Sequence, residues 1–299
     1  MKTLKALWEL MRLEHGVMIF IAILIGSVIS HKMLFNVNGL PPIDKLILTF
    51  CTALLLEAST FALNDYCDFE IDKKNNRRDR PLVRGDISAH TALYLFFFLF
   101  PLGIISSFFV NATCFIIALI TGVFAIVYDI KMKKIKVLGN FYIAYTMAIP
   151  FIFGGAAVIE QNAFSLQMSP VIFIIALIAF LTGVGREIMK DVMDYKGDRA
   201  TGVKSFPKYI GVRATNAVAA LFYIIAIALS FFPFFVRGYS VYYQNMYYFS
   251  LVLITDILLL STALQLLFNK QVNLKFYRHF TLVAIFFGLL AFLIGAFIR

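Results

Sequence analysis

The chain has 299 residues, 61% of them hydrophobic and only 15% charged, with a mean hydropathy of +0.84. A water-soluble domain sits nearer half apolar and a quarter charged, so the composition excludes a soluble globular protein and points to a bilayer. The formal net charge of +10 would suit a nucleic-acid binder, but the placement of the charges ascribes it to membrane topology and leaves no nucleic-acid partner.

The first segment, residues 1–14, sets Leu4, Leu7, Trp8 and Met11 at i, i+3, i+4 and i+7 with Lys2, Lys5, Glu9 and Arg12 between them. That spacing predicts a short helix lying in the membrane interface. Apolar blocks long enough to cross a hydrocarbon core follow at about 16–31, 46–64, 91–110, 112–128, 138–158, 170–187, 213–235, 245–268 and 279–298. The expected fold is therefore an all-α integral membrane protein of nine transmembrane helices, with residues 1–299 forming a single domain. Pro101, Pro150 and Pro233 fall within or at the ends of spans, which membrane helices tolerate. Asn111 separates the third and fourth spans.

Of the 27 Lys and Arg residues, all but Lys32, Lys45, Arg237 and Arg299 fall in the N-terminus and in alternate loops, at 65–90, 129–137, 186–213 and 269–278. Basic residues accumulate on the cytoplasmic side. The N-terminus and these loops are thus expected in the cytoplasm and the C-terminus outside, in a multi-pass cell-membrane protein contacting lipid all round. Cys51, Cys67 and Cys114 show no paired spacing, and His15, His31, His90 and His279 lie far apart. A disulfide framework or a zinc site is not expected.

The acidic residues are not scattered. Asp65, Asp68 and Asp72 follow the second span, and Asp191, Asp194 and Asp198 follow the sixth, both with the spacing D-x-x-D-x-x-x-D. On a helix this spacing keeps the carboxylates on one face, where Asn64, Asp68 and Asp72 also stack. Three carboxylates on one face repel one another unless a cation is present. Hard oxygen donors select Mg²⁺, which combines carboxylates with substrate phosphate oxygens. A helix C-terminus disfavours anions, so mere solvation of a helix end would place Lys there instead. The recurrence of the motif four spans apart predicts two four-helix pseudo-repeats, spans 2–5 and 6–9, with span 1 added.

Flanking residues extend the pattern. Asn76-Arg77-Arg78-Asp79-Arg80-Pro81-Leu82-Val83-Arg84-Gly85-Asp86-Ile87-Ser88 follows the first cluster, and Gly202-Val203-Lys204-Ser205-Phe206-Pro207 follows the second. Between them lies Tyr128-Asp129-Ile130-Lys131-Met132-Lys133-Lys134. The whole chain thereby resembles the UbiA-type membrane prenyltransferases, whose motifs N-x-x-x-D-x-x-x-D, N-R-x-x-R-P-L-x-x-G-x-I-S and D-x-x-x-D with G-x-x-(S/T)-x-P it matches in order. It departs at His15, where proline is common, and at Val83-Arg84, which replaces a Pro-Ser pair.

The resemblance implies a ring of nine helices around a central cavity, and transfer of an isoprenyl chain from its diphosphate with Mg²⁺. By the same resemblance, Asn64, Asp68, Asp72, Asp194 and Asp198 would hold the Mg²⁺-diphosphate, assisted by Asp65 and Asp191. Tyr128 would line the site. Arg12, Arg77, Arg80, Lys131 and Lys133 are candidates for phosphate contacts, although Lys134 and Lys136 compete in the same loop. Arg186 and Lys190 lie at i−8 and i−4 from Asp194, suited to the Asp cluster or to an anionic substrate. The segments 64–72 and 186–202 look most like the archaeal branch, which implies a geranylgeranyl donor and a geranylgeranylated glycerol phosphate acceptor. An aromatic quinone precursor is the alternative acceptor, and a cation-coupled transporter the alternative class. A transporter would be expected to carry its acids near mid-bilayer, where only Glu57 and Asp256 fall.

Overall fold

A computed structural model of the chain describes residues 2–37, 39–160, 164–237, 241–269 and 271–298; Arg299, expected outside, lies beyond them. Among the described residues every regular element is helical. In chain order these are α1 Lys2–Met11, α2 Gly16–Phe35, α3 Ile43–Lys74, the single turn α4 Pro81–Arg84, α5 Ala89–Val110 and α6 Ala112–Ile130. There follow α7 Lys136–Ala157, α8 Pro170–Thr201, α9 Phe206–Ser230, the short α10 Phe232–Phe235, α11 Met246–Phe268 and α12 Leu274–Phe297. Nine of the described helices are long and apolar enough to cross a membrane, in the nine places expected.

Two helices outrun the bilayer. α3 and α8 are each 32 residues long, roughly 48 Å at the helical rise, against a hydrocarbon core of about 30 Å. Their C-terminal turns therefore continue beyond the apolar layer as helix. Both aspartate triplets lie on these continuations, so the expected common face is held by unbroken helical backbone.

Neighbour relations reproduce the expected repeat. α3 packs on α5, α5 on α6 and α6 on α7, while α8 packs on α9, α9 on α11 and α11 on α12. Each set closes, α3 against α7 and α12 against α8, and α7 joins α8 at the seam. α2 lies against α7, α3 and α12. Ile23, Ile25, Ile29, Ile172 and Ile175 are among the fully buried residues of the main core. Phe97, Phe98, Phe108 and Phe109 on α5 face outward, which suits lipid contact.

Polar side chains secure the junctions. Asn111, extended between α5 and α6, accepts from the Cys114 amide at 2.8 Å and donates to the carbonyls of Ala156 at 2.8 Å and Ile159 at 3.1 Å. One residue thus caps α6, worth about 1 kcal/mol, and fixes it to the end of α7.

The N-terminal helix differs from a bare interfacial one. Ala6 and Leu10 are buried against Ala62, Leu82, Ile87 and Ala92, while Leu4 and Trp8 remain exposed. α1 therefore presents two apolar faces, one to the protein and one outward. Arg84 donates to Glu9, to Asp86 at 2.6 Å and to the Asp79 carbonyl at 3.2 Å, so the residue replacing the usual serine ties α1 to the 79–86 turn.

Candidate active site

The first triplet is held by cations from three segments. Arg12, in a left-handed elbow between α1 and α2 (φ 49°), donates to Asp65 Oδ1 at 3.0 Å. Arg80 donates to the same oxygen at 3.0 Å and approaches Asp72 at 3.7 Å. Lys133 bonds Asp68 at 2.9 Å and Asp129 at 3.1 Å, and Asn64 donates to Asp129 at 2.9 Å. Burial pulls the Arg12 pKa down and Arg80 adds to this, while Asp65 opposes it. The guanidinium also lies over the Phe61 ring at 4.1 Å, a cation–π contact.

The second triplet is spanned by one lysine. Lys136, the first residue of α7, lies 2.8 Å from Asp198, 3.5 Å from Asp194 and 4.0 Å from Asp191. Asn140, one turn further along α7, donates to Asp191 at 2.8 Å. The Phe206 amide reaches the same carboxylate at 3.4 Å, so Asp191 joins the start of α9 to α8.

Beside the second triplet, under the α6–α7 turn, lies a cleft of about 200 Å³, lined among others by Tyr128, Lys133, Lys136, Glu187, Lys190, Asp191 and Asp194. Lys133 pairs with α3 and lines this cleft, while Lys136 pairs with α8, so the α6–α7 turn bridges the two acidic helix ends. Tyr128 is stacked on Tyr142, with centroids 4.6 Å apart and planes 26° from parallel.

The sequence-predicted residues divide accordingly. Asn64, Asp65, Asp68, Asp72, Asp191, Asp194, Asp198, Tyr128, Arg12, Arg80 and Lys133 are brought together at this end of the bundle. Arg77 lies at the same end, its amide donating to the Asp72 carbonyl at 3.0 Å, but its half-exposed guanidinium pairs with Asp79 at 2.7 Å, and that hydrogen bond holds the Asp79 carboxyl down at about 2. Lys131 is exposed, and the Lys134 side chain lies outside the described residues. Arg186 and Lys190 do not present a free cationic pair. Both turn to Glu187, Lys190 at 2.7 Å and Arg186 at 3.6 Å, because a buried carboxylate left without a charge partner would be costly.

Sequence reasoning did not single out Asp129, Asn140 or Glu187, and it left Lys136 as one of four competing lysines. Local signals existed: Asp129 lies beside Tyr128, and Glu187 lies one turn before Asp191 in the stripe 187, 191, 194, 198. Glu57, two turns deeper than Asn64, faces His15 at 3.7 Å. Asp256 is buried and accepts from Ser230 at 2.6 Å. These two acids lie on separate helices, α3 and α11, with separate partners.

No three described carboxylates, histidines or cysteines converge at metal-binding distance, because Arg and Lys interleave with them. The donor chemistry nonetheless fits Mg²⁺. Asp68 and Asp194 are partly open, at 28% and 44% side-chain exposure, and Asp65 Oδ2 is buried with no hydrogen-bond partner. Mg²⁺ keeps several waters and takes only one or two carboxylates together with phosphate oxygens, so a prebuilt cage is not required.

Comparison with known proteins places the fold and the family. Residues 20–281 match the UbiA prenyltransferase family. The digeranylgeranylglyceryl phosphate synthase of Archaeoglobus fulgidus is 41% identical over 98% of this chain and 96% of its own length. A solved structure titled for digeranylgeranylglyceryl phosphate synthase in membranes superposes with a TM-score of 0.80 at 32% identity, covering 99% of both chains. A UbiA homologue from Archaeoglobus fulgidus bound to DMAPP and Mg²⁺ shares the fold at a TM-score of 0.59 and 16% identity, over 96% of this chain and 98% of that one.

Proposed function

The chain belongs to the UbiA prenyltransferase family, and from that premise we propose that it transfers a geranylgeranyl group from geranylgeranyl diphosphate to geranylgeranylglyceryl phosphate. The products are the digeranylgeranyl ether and free diphosphate. Relatives that match nearly end to end are named for the product digeranylgeranylglyceryl phosphate, and geranylgeranylglyceryl phosphate is the acceptor that one geranylgeranyl transfer converts into it. The single observation carrying the chemistry is that Lys133 and Lys136, both lining the cleft beside the second triplet, reach the two aspartate-bearing helix ends, Asp68 on α3 and Asp198 on α8.

Asn64, Asp68, Asp72, Asp194 and Asp198 would hold Mg²⁺, with Asp65 and Asp191 in support. When bound, the metal neutralises the leaving diphosphate and so eases ionisation of the allylic C–O bond. Asp65, gripped by Arg12 and Arg80, positions the first helix end, and Asn140 does the same for Asp191. Lys133 and Lys136 sit on carboxylates and turn to phosphate oxygens once a diphosphate enters the cleft, placing charge where negative charge develops. Tyr128, backed by Tyr142, offers a ring face to the allylic cation and keeps water from it. Among the described residues, Arg77 pairs with Asp79 and Lys131 is exposed, so both side chains stay available to phosphate oxygens.

The test is mass spectrometry of products from the purified protein given geranylgeranyl diphosphate, Mg²⁺ and a panel of acceptors. Ether formation on geranylgeranylglyceryl phosphate is expected. Prenylation of 4-hydroxybenzoate or a naphthoate in its place would reassign the acceptor to the quinone-precursor class while leaving prenyl transfer intact.

We also infer that this cleft faces the cytoplasm, on the distribution of Lys and Arg. In a background lacking the exposed Cys51 and Cys67, cysteine at Lys74 or Gln271 should resist an impermeant thiol reagent on intact cells, and cysteine at Leu40 should react. The reverse pattern would overturn the orientation.

A further inference from the structure

The stripe of acids on α8 does not stop at the aspartates. Glu187 lies four residues before Asp191, on the same face and about 6 Å deeper toward the membrane. It is 7% exposed, yet it lines the same cleft as Tyr128, Lys133, Lys136, Asp191 and Asp194. Lys190 donates to both of its oxygens, at 3.0 and 2.7 Å, and Arg186 Nη1 lies 3.6 Å away.

The equivalent place on α3, four residues before Asp65, is Phe61, whose ring is covered by Arg12. Glu57 is deeper still, faces His15, and is not among the residues lining the cleft. Among the described residues, Glu187 is therefore the carboxylate of this cleft that lies one turn beneath the level of the triplets. If the triplets hold the diphosphate, its first prenyl carbon and the attacking atom lie at that depth.

Resting on the reaction proposed above, we propose that Glu187 is the catalytic base that receives the proton of the acceptor's glycerol hydroxyl. The bond from the prenyl carbon to the diphosphate oxygen breaks, and its electron pair leaves with the diphosphate. The bond from the hydroxyl oxygen to that carbon forms, and the hydroxyl proton passes to a Glu187 carboxylate oxygen. Lys190 and Arg186 hold the carboxylate in place, so these two cations serve the base and not an acceptor phosphate. An aromatic carbon acceptor would not require a base at this depth before attack, whereas an alcohol must lose its proton as the ether forms.

The experiment uses the full chain in lipid nanodiscs with Mg²⁺, geranylgeranyl diphosphate and geranylgeranylglyceryl phosphate. Three quantities are read for the wild type, Glu187→Gln and Glu187→Asp: the single-turnover rate of ether formation, the donor KM, and the slow release of geranylgeraniol when the acceptor is left out. Glu187→Gln should lose about 100-fold or more in ether formation. Its donor KM and its acceptor-free release of geranylgeraniol, which report binding and ionisation alone, should stay within about threefold. Glu187→Asp, which keeps a carboxylate against Lys190, should recover part of the transfer rate. Ether formation by Glu187→Gln near the wild-type rate overturns the proposal. So does a parallel fall in geranylgeraniol release, which would make Glu187 a structural anchor for Lys190; if the glutamine variant does not fold, the same split in Glu187→Asp decides. A wild type that makes no ether but prenylates an aromatic acceptor would fail the functional reading itself, a result that no Glu187 variant can produce.

Discussion

The two halves of the molecule carry the same spacing of aspartates at the ends of 32-residue helices, but they hold those aspartates differently. On α3, Arg12 and Arg80 converge on Asp65 and Lys133 takes Asp68, with the cations arriving from the N-terminal elbow, the 75–81 turn and the α6–α7 turn. On α8, Lys136 reaches all three carboxylates. The connections that follow also diverge. Gly85 and Gly202 both end a helix in the left-handed region, at φ 79° and 75°, and a serine three residues later begins the next helix in each half. Ser88 caps α5, accepting from the Thr91 amide at 3.1 Å. Ser205 leaves its buried hydroxyl without a partner, and the Asp191 carboxylate meets the Phe206 amide at 3.4 Å instead. A duplicated motif can thus keep its backbone while its side chains specialise, the first half toward a wall braced by two arginines and the second toward a carboxylate face spanned by Lys136.

The largest effect should come from removing a carboxylate in either half. Asp68→Asn or Asp198→Asn is expected to lose about 100-fold or more in turnover, with thermal melting close to wild type because neither side chain lies in the apolar core. Excess EDTA should do the same to the wild type. Full activity in EDTA would remove the metal from both halves, and an effect confined to one variant would show that only one triplet serves the reaction.

Next in size is the contrast between bracing and chemistry. Arg80→Ala leaves the buried Asp65 with Arg12 alone and should cost roughly 1–3 kcal/mol in stability, seen in melting of the protein in detergent. Lys136→Ala should raise the donor KM about tenfold or more, the size of one charge-assisted contact, with a smaller change in melting. If Lys136→Ala unfolds the protein while Arg80→Ala only slows it, the assignment of the halves is reversed.

The smallest effect separates the two serines. Ser88→Ala should lose about 1 kcal/mol with its cap, whereas Ser205→Ala, removing a hydroxyl that makes no bond, should be neutral to within about 0.5 kcal/mol. Equal losses would mean that the two turns are capped alike.

The nine spans were legible because crossing a hydrocarbon layer requires about 20 apolar residues in a row, a demand that each segment meets by itself. The motif residues were legible for a related reason: Asp65, Asp68 and Asp72 share a face through helical spacing alone, without help from any other segment. The inner face of α1 was not legible, since Ala6 and Leu10 are buried by Leu82 and Ile87, residues more than seventy positions away by sequence numbering. Lys136 was hidden among four lysines because the start of α7 decides which of them turns toward α8. Spacing alone left Arg186 and Lys190 to the Asp cluster or to an anionic substrate, whereas in the structure Glu187, between them in sequence, pairs with both.

By itself, the sequence determined the membrane class, the number of crossings, the shared face of each aspartate triplet and the family of the fold, all consequences of composition and short-range spacing. Only the tertiary structure decided which cation meets which carboxylate, that the α6–α7 turn bridges the two acidic ends, and that Glu187 lines the cleft. Ion pairs between helices depend on how the helices pack and how their ends are oriented, and no single segment encodes its neighbour's position.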